Sequence, residues 1–498
     1  MNGTPLPLSR FFSLQNIILT AVAFGIPVTL TNAAFSEAEK QIYSVELAQE
    51  PNQRAYQLET LSNFDFLGIS ERENIAEVAL PPSSLTILDV LGLTYKNSHL
   101  NQQLNTEALD EYLSPEEVRN ELSQLAQSYP DLTELRTIGR SRRDQPIQAL
   151  VISAAPNNKN QPTLLFNAMH HAREVMTTEV VVHMAQVLLS RYGQNAEITE
   201  WLNTARIIVV PQVNPDGNNL VHTGRALWRK NAWEDNGRLY GVDLNRNYPA
   251  LWGACNGSSI VKSSDSYRGP NPKSEPETQA MVELVTSERP VANISYHSFS
   301  EMILYPYGCR REKNPSLDLF KSLAASMKEA LIDDSGRTNT YSLGTPPELL
   351  YEADGTDADW QFREAGVISF AYEVNSRRLG FQPSYKQWRD VTVGRQEGGW
   401  QTLIRETLSQ GVKAQLKGFR PDEIHYRINQ LKNGEKLEFS ANDPSVLPFK
   451  PRSAEGFLFN SLLPGSYEMT MSRNDQELQA IQFTVQPGEV TNLGVIEI

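Results

Sequence analysis

The sequence of 498 residues predicts an α/β domain whose sheet is buried on both faces, followed by a small all-β unit. Continuous apolar runs typical of buried strands occur at 147–153, 163–169, 206–213, 291–297 and 366–374. Helical patterns separate these runs, and a strand without polar alternation needs apolar cover on both of its faces. The apolar fraction of 40% is ordinary for a globular protein.

The helices of this domain are predicted from their start signals and apolar spacing. The first begins after Ser114, and Glu117 completes a capping box with it. Further helical patterns lie at 174–192 and at 274–288, and Ser274 is the predicted N-cap of the latter. Strands and helices therefore alternate along the chain, as in α/β proteins.

Residues 1–34 are interpreted as a signal peptide. One basic residue, Arg10, precedes the apolar run at 17–30, and small residues follow that run. The run is too short to span a bilayer comfortably, although an uncleaved membrane anchor is the alternative. We therefore expect an exported protein, secreted or periplasmic, with no membrane span once the leader is removed.

The rest of the chain divides into three segments by composition. Residues 35–112 contain short strand and helix patterns at 55–96 and a polar linker at 97–112. The α/β domain follows at 113–410. Residues 414–498 consist of short alternating runs separated by turn signals such as Asn-Gly and Pro-Gly, which predicts a β-sandwich.

Charge and cysteine content exclude several classes of protein. A formal net charge of −14 argues against a nucleic-acid or anionic-membrane partner, since electrostatic attraction would be absent. The two cysteines, Cys255 and Cys309, are too few for a disulfide framework or a cysteine-rich zinc site. They form one bridge in an oxidising compartment or remain separate buried thiols.

Histidines stand at the ends of two predicted strands. In "MHHARE", His170 and His171 follow a strand, and Glu174 opens the next helix. His297 ends another strand in the same manner. Ligands bind beyond the strand ends of open α/β sheets, and hydrolytic zinc sites commonly use two histidines and a glutamate. Each motif alone is weak, because a histidine at a strand end is often a structural hydrogen-bonding residue.

Six motifs in the correct order resemble the zinc carboxypeptidase family. They are "HARE", "LWRK", "VDLNRNYP", "RGPNPKSEPET", "SYHSFSEMILYPYG" and "FAYEV", spread over about 113–410. The resemblance implies a mixed, largely parallel sheet flanked by helices. It also implies a zinc-dependent metallocarboxypeptidase that removes C-terminal amino acids from peptides or proteins.

The resemblance implies one zinc ion per chain, bound by His171, Glu174 and His297. His170 is then a neighbour whose side chain points elsewhere. Asp243 would accept a hydrogen bond from the ring of His171 and so fix its orientation.

The family pattern assigns catalytic roles to Glu373 and Arg229. Glu373 matches the general base, which takes a proton from the zinc-activated water and passes it to the leaving amine. Its alternative interpretation is a salt-bridged carboxylate at a strand end. Arg229 corresponds to the arginine that polarises the scissile carbonyl and stabilises the oxyanion.

Substrate-binding roles follow from the same motifs. Asn245 and Arg246 would grip the free C-terminal carboxylate, for which a guanidinium offers a bidentate fork. Arg173 would contact the substrate further upstream. Tyr351 matches a mobile tyrosine that closes over the terminal residue, although a surface-loop tyrosine is the alternative.

The sequence leaves alternatives for the preferred C-terminal residue and for the N-terminal segment. The family's pocket-base position falls on Ala358, which predicts a broad or apolar preference, but a shift of one residue would place Asp357 there and favour a basic terminus. The segment 35–112 is either an inhibitory prodomain or a permanent accessory unit, and the terminal sandwich resembles a transthyretin-like module.

Two other functions remain open. One is a zinc amidase for cell-wall peptides that contain D-amino acids or diaminopimelate, because such substrates also end in a carboxylate. The other is a catalytically inactive relative that serves as a binding module. The sequence does not indicate an oligomeric state.

Overall fold

The computed structural model describes residues 40–103, 109, 111–417, 424–432, 435–436, 456–474 and 476–498. The predicted signal peptide at 1–34 lies outside the described residues. Within the described part of the chain, no helix is both long and apolar enough to cross a membrane.

The N-terminal unit is a small sheet with a helix packed on it. Its elements are β1 (Gln41–Glu46), α1 (Pro51–Leu61), β2 (Asp65–Ser70), β3 (Ile75–Leu80), a 3-10 turn (Pro82–Ser84), α2 (Thr86–Val90), β4 (Tyr95–Asn97) and a second 3-10 turn (His99–Gln103). The strand order is β2-β3-β1-β4, with antiparallel pairing. Val45, Leu61 and Val78 form its core, and Met302 and Leu304 of the next domain join the same apolar cluster. The unit is therefore packed on the larger domain.

The central domain contains the predicted mixed sheet. Its strands are β5 (Thr133–Arg140), β6 (Pro146–Ile152), β7 (Thr163–Ala168), β8 (Arg206–Val210), the short hairpin β9 (Glu234–Asp235) and β10 (Arg238–Leu239), β11 (Ala292–Ser298), β12 (Met302–Leu304), β13 (Ser342–Gly344) and β14 (Ile368–Val374). The eight-stranded sheet has the order β13-β12-β14-β11-β7-β8-β6-β5. Its centre, β14-β11-β7-β8, is parallel, and antiparallel pairs flank it. The predicted mixed, largely parallel α/β class is confirmed.

Helices cover both faces of this sheet. They are α3 (Pro115–Ser128), α4 (Val175–Arg191), α5 (Ala196–Thr204), α6 (Pro215–His222), a 3-10 turn (Leu244–Arg246), α7 (Pro276–Glu288), α8 (Leu317–Ala330), α9 (Pro346–Leu349), α10 (Asp357–Ala365) and α11 (Tyr385–Ser409). Phe166 of β7 faces a cluster that includes Trp400 of α11. The neighbouring Leu165 faces the opposite cluster, which includes Met281 of α7 and Trp360 of α10. Successive strand residues point to opposite faces, so these two clusters are the two sides of one buried sheet.

One of the two predicted capping signals is confirmed. Ser114 and Glu117 form the capping box at the start of α3. The prediction for Ser274 is wrong, because α7 begins after Glu275 and has no side-chain cap. The hydroxyl of Ser274 instead donates to Glu275 and accepts from the amide of Asn247, so tertiary contacts replace the local cap.

The C-terminal unit consists of two sheets around one core. Its strands are β15 (Gly411–Lys417), β16 (Ile424–Lys432), β17 (Glu435–Lys436), β18 (Phe457–Asn460), β19 (Gly465–Arg473), β20 (Gln476–Val485) and β21 (Val490–Glu497). One sheet has the order β18-β15-β21 and the other β17-β16-β19-β20. Val412 and Leu416 from the first sheet pack with Met469 and Val485 from the second. The transthyretin-like assignment stays a prediction.

Candidate active site

Three parallel strands end at one edge of the sheet and bring the predicted residues together. His297 of β11 lies opposite Glu373 of β14 in the ladder, and Ser295 lies opposite Asn167 of β7. After β7 the chain turns at Met169, which has a left-handed φ of 64°. The turn carries the next residues across the end of β11, at the strand-end crevice where α/β folds bind ligands.

The side chains of His171, Glu174 and His297 converge. The Nδ1 atom of His171 lies 2.8 Å from Oε1 of Glu174, and Nδ1 of His297 lies 3.0 Å from Oε2. The two Nδ1 atoms are 3.1 Å apart. All three residues are buried, and their donor atoms lie within 4.8 Å of one another. Glu174 is the N-cap residue directly before α4, so the start of the helix positions one donor.

This donor set fits a zinc ion. Burial alone would raise the pKa of Glu174, but the imidazoles of His171 and His297 hold it well below its usual range. The carboxylate is thus ionised, and it shares its oxygens between two ring nitrogens. Two imidazoles and one carboxylate are a common ligand set of hydrolytic zinc sites, which keep a further position for water or substrate.

His170 does not belong to this group. Its Nε2 atom lies 2.8 Å from the hydroxyl of Tyr248, and its Nδ1 atom lies 3.4 Å from the hydroxyl of Ser295. The ring stacks on that of His297 with the centroids 5.7 Å apart. His170 therefore packs behind the donor group.

Asp243 connects three of the predicted residues. Its Oδ1 atom lies 3.3 Å from Nε2 of His171, which is long for the predicted hydrogen bond. The backbone N–H of Asn245 donates to the same oxygen. Arg229 donates to Oδ2 through Nε and Nη2, at 3.0 and 2.9 Å. The carboxylate of Asp243 thus sets the relative positions of the His171 ring, the Arg229 guanidinium and the backbone of Asn245.

Glu373 faces the same cavity as the donor group. It lies at the carboxyl end of β14, directly beside His297 in the ladder. Burial and the negative charge of Glu174 raise the pKa of Glu373 to about 8. A carboxylate with a raised pKa binds a proton more strongly than an exposed one does, which suits a group that accepts protons.

Asn245 and Arg246 form another part of the cavity wall. Arg246 is 4% exposed, and its Nε and Nη1 atoms donate to the carbonyls of Gly257 and Asn245 at 2.8 and 2.7 Å. The side-chain oxygen of Asn245 accepts from the backbone N–H of Asp357 at 2.8 Å. Tyr351 also lines the cavity.

The N-terminal unit enters this cavity. Phe66 and Gly68 of β2 are among its lining residues. The Phe66 ring meets the Tyr351 ring edge to face, with the centroids 5.1 Å apart. A side chain at Gly68 would lie 2.6 Å from Phe299, so the backbone of β2 fits closely against the central domain.

Arg173 is occupied by the N-terminal unit and does not line the cavity. It is fully buried, and its Nη1 atom donates to Asp65 at 2.8 Å while Nη2 donates to the carbonyl of Phe66 at 3.3 Å. Burial alone would raise the pKa of Asp65, but Arg173 and Lys40 lower it to about 2. Contrary to the expected substrate contact, Arg173 is unavailable to a substrate in this arrangement.

A comparison with protein families identifies the family to which the chain belongs. A family model described as zinc carboxypeptidase matches residues 118–396, which is more than half of the chain. The chain belongs to the zinc carboxypeptidase family. The six motifs that carried the resemblance all lie within the matched residues, and the prediction of the family is confirmed.

Relatives of the chain include carboxypeptidases A. Carboxypeptidase A2 of Rattus norvegicus is 32% identical over 279 residues, which cover 55% of this chain and 66% of the relative. Carboxypeptidase A5 of Homo sapiens is 32% identical over 289 residues, covering 57% and 65%. The chain thus spans slightly less than two thirds of these relatives. The crystal structure of the carboxypeptidase A from Helicoverpa armigera has the same fold, with a TM-score of 0.63 and 24% identity over 73% of this chain and 96% of that one.

A row of polar side chains lies behind the donor group, and the sequence analysis did not predict it. The hydroxyl of Ser295 donates to Oδ1 of Asn167 at 2.9 Å and lies 3.3 Å from Nε2 of His297. The amide of Asn167 donates to Asn293, which in turn donates to Ser369. The sequence pattern that could have predicted it is a polar residue at every second position before His297, in a strand that is otherwise apolar.

The two candidates for the pocket base have different surroundings. Both Ala358 and Asp357 line the cavity. The carboxylate of Asp357 is buried, and both of its oxygens accept from the amide of Gln361 at 2.9 Å. Asn167 approaches the same carboxylate at 3.4 Å. Since neutral amides already hold Asp357, the methyl group of Ala358 is left to shape the pocket.

Asp359 makes the stability of this chain dependent on pH. Burial raises the pKa of Asp359 to about 7, and both oxygens face the backbone N–H of Gly308. The folded state therefore holds this proton at pH values where the unfolded state has lost it, so stability falls as pH rises from about 4 to 7. We expect Asp359→Asn to increase the free energy of unfolding at pH 8 by on the order of 2 kcal/mol, and by less at pH 5.

Urea unfolding at both pH values measures this difference. The exposed Asp318→Asn is the control and should leave the pH dependence unchanged. Equal effects of Asp359→Asn at pH 5 and pH 8 would contradict the prediction.

Proposed function

We propose that this chain is an exported zinc metallocarboxypeptidase that removes C-terminal amino acids from peptides or proteins. One observation carries the proposal: the metal-donor group, Glu373 and Arg246 all face a single cavity. Hydrolysis of a peptide at its carboxyl end needs these three functions side by side. Export rests on the predicted signal peptide.

Zinc would be held by His171, Glu174 and His297, whose donor atoms already converge. When bound, it would supply a Lewis acid that activates water and polarises a carbonyl. Because three buried donors hold it, we expect one tightly bound ion per chain.

The remaining chemistry belongs to side chains of the protein. Glu373 accepts the proton of the attacking water and delivers it to the leaving amine. Arg229 is held beside the donor group by Asp243, where its positive charge stabilises the oxygen that gains negative charge. Neither group needs to move far, because both are fixed by the ends of strands or by buried hydrogen bonds.

Asn245 and Arg246 restrict the reaction to chain ends. Two of the five guanidinium N–H groups of Arg246 donate to backbone carbonyls, which orients the others toward a ligand. A free carboxylate accepts two parallel hydrogen bonds from such a fork. Only a C-terminal residue presents that carboxylate at the correct distance from the donor group.

Part of the cavity lining is apolar and could receive the terminal side chain. This part includes Leu304, Pro346, Leu350, Ala353, Ala358 and Ala371. We infer a preference for apolar C-terminal residues from this lining and from the engagement of Asp357 by Gln361.

Replacing Ala358 by aspartate should shift this preference toward basic residues. The new carboxylate would pair with a terminal lysine or arginine and would be costly to bury beside a leucine. We expect the ratio of kcat/KM for Lys-terminated over Leu-terminated peptides to rise by at least about 100-fold. Two peptides that differ only in the last residue measure the ratio, and Ala358→Asn is the neutral control. An unchanged ratio would mean that another position forms the pocket base.

Mass spectrometry of a peptide pool tests the activity itself. The zinc-loaded protein is incubated, before and after limited proteolysis, with peptides that differ at the C-terminal residue. Loss of single terminal residues that stops with a chelator supports the proposal. Cleavage restricted to peptides ending in D-amino acids or diaminopimelate would favour the cell-wall amidase, and no cleavage of any peptide would favour a binding role.

We further propose that residues 35–112 are an inhibitory prodomain. Phe66 occupies the cavity beside Tyr351, and Asp65 pairs with the buried Arg173. A substrate chain that extends from the donor group would meet this strand. Inhibition would then end when the connection after residue 103 is cut.

A further inference from the structure

Cys255 and Cys309 are joined by a disulfide bond that links two walls of the cavity. Cys255 lies in the stretch 247–275, which contains no helix or strand and directly follows Arg246. Cys309 lies just after Leu304, Tyr305 and Pro306, which line the cavity. The bond therefore connects the stretch that directly follows Asn245 and Arg246 to the segment that forms part of the apolar wall.

A third segment is clamped between these two. The backbone N–H of Cys255 donates to Asp354 at 3.1 Å, and that of Ala353 donates to the carbonyl of Gly308 at 2.9 Å. A side chain at Gly257 would lie 2.4 Å from Cα of Ala353, and one at Gly308 would lie 2.0 Å from its carbonyl oxygen. The three backbones are thus in direct contact, and the disulfide bond is the covalent link across them.

Arg246 depends on this arrangement through one atom. Its Nε donates to the carbonyl of Gly257 at 2.8 Å, only two residues after Cys255. That carbonyl and the carbonyl of Asn245, which accepts from Nη1 at 2.7 Å, together set the direction of the guanidinium fork. In a stretch without regular secondary structure, a covalent bond removes conformations that hydrogen bonds alone would leave accessible.

We propose that the Cys255–Cys309 bond is a positioning element for substrate carboxylate binding, acting on Arg246 through the carbonyl of Gly257. The inference rests on the proposed role of Arg246. Without the bond, the segment around Gly257 gains freedom and the guanidinium loses its fixed direction. Arg246 would bind the substrate carboxylate in both the ground state and the transition state. Weakening this contact therefore raises KM and leaves kcat unchanged.

The test compares the zinc-loaded wild type with the double variant Cys255→Ala, Cys309→Ala, each cleaved at the connection after residue 103. We expect KM for a Leu-terminated peptide to rise about tenfold, with kcat changed less than about twofold. Calorimetry should show weaker binding of phenylacetate by a similar factor. Inhibition by acetohydroxamate, which needs only the metal, should stay the same.

Two further measurements separate positioning from stability. Ser259→Ala changes the same stretch without touching the bond or Arg246, and it should keep the wild-type KM. Treating folded wild type with a phosphine reductant should reproduce the rise in KM, and the half-buried Cys255 offers access to the bond. This treatment also replaces the double variant if that variant does not fold.

The possible results are distinct. A lower melting temperature with unchanged KM and unchanged phenylacetate affinity, in the variant and in the reduced wild type, would overturn the proposal. Absence of peptide cleavage by the oxidised wild type would overturn the proposed function. Phenylacetate binding does not require peptide cleavage. A comparison of its affinity between the wild type and the double variant would therefore still show whether the disulfide bond positions Arg246.

Discussion

Replacing Glu373 by glutamine is expected to lower kcat/KM by at least about 10³-fold while the chain retains one zinc ion. The amide keeps the shape of the side chain but cannot accept a proton from water. Because Glu373 lies opposite His297 in the ladder and beside Glu174, no other carboxylate of the described residues that line the cavity is equally placed. The loss should appear mainly in kcat, since proton transfer occurs only in the transition state.

Steady-state kinetics and metal analysis of the same sample measure this effect. Glu283→Gln, an exposed glutamate on α7, is the matched control and should keep full activity. Activity within tenfold of wild type would exclude Glu373 as the general base. Loss of zinc from the variant would instead indicate a role in metal binding.

Cutting the chain in the connection between residues 103 and 112 should raise kcat/KM by at least tenfold, which corresponds to about 1.4 kcal/mol of lost inhibition. The cut allows β2 to leave the cavity and exposes Arg173. The matched pair of uncut variants is Asp65→Ala and Glu71→Ala. The first removes the partner of Arg173, and the second removes an ion pair with Arg54 inside the N-terminal unit.

Only Asp65→Ala should raise the activity of the uncut chain, because it leaves Arg173 buried without a counter-charge and so weakens the contact between the units. Activity is measured on one peptide before and after cleavage, with the cut confirmed by mass spectrometry. An uncut chain as active as the cut one would identify residues 35–112 as a permanent accessory unit.

The positions of the metal donors and of Glu373 could be predicted because they depend on strand ends. Parallel strands end at one edge of a sheet, so polar residues at the ends of "LLFNAM", "NISYH" and "SFAYE" had to lie close together. The family motifs then distinguished His171 from His170. Strand ends and the family motifs together were enough to predict that these side chains converge.

Contacts between distant segments could not be predicted in the same way. The pair Arg173–Asp65 joins residues 108 positions apart, and no pattern links them. The start of α7 was misplaced because Ser274 bonds with Asn247, a partner that only the folded chain provides. The cysteine pairing stayed open because spacing alone does not show which backbones meet.

The row of polar side chains behind His297 also determines how the strands align. Asn293 bonds to Asn167 on one side and to Ser369 on the other, so three adjacent strands share one chain of amides and hydroxyls. A slip of one residue would turn these groups toward the opposite apolar face, where they would lack partners. The same slip would part His297 from Glu373. The register that pairs the strands of the sheet is thus also the register that places the residues of the proposed reaction centre.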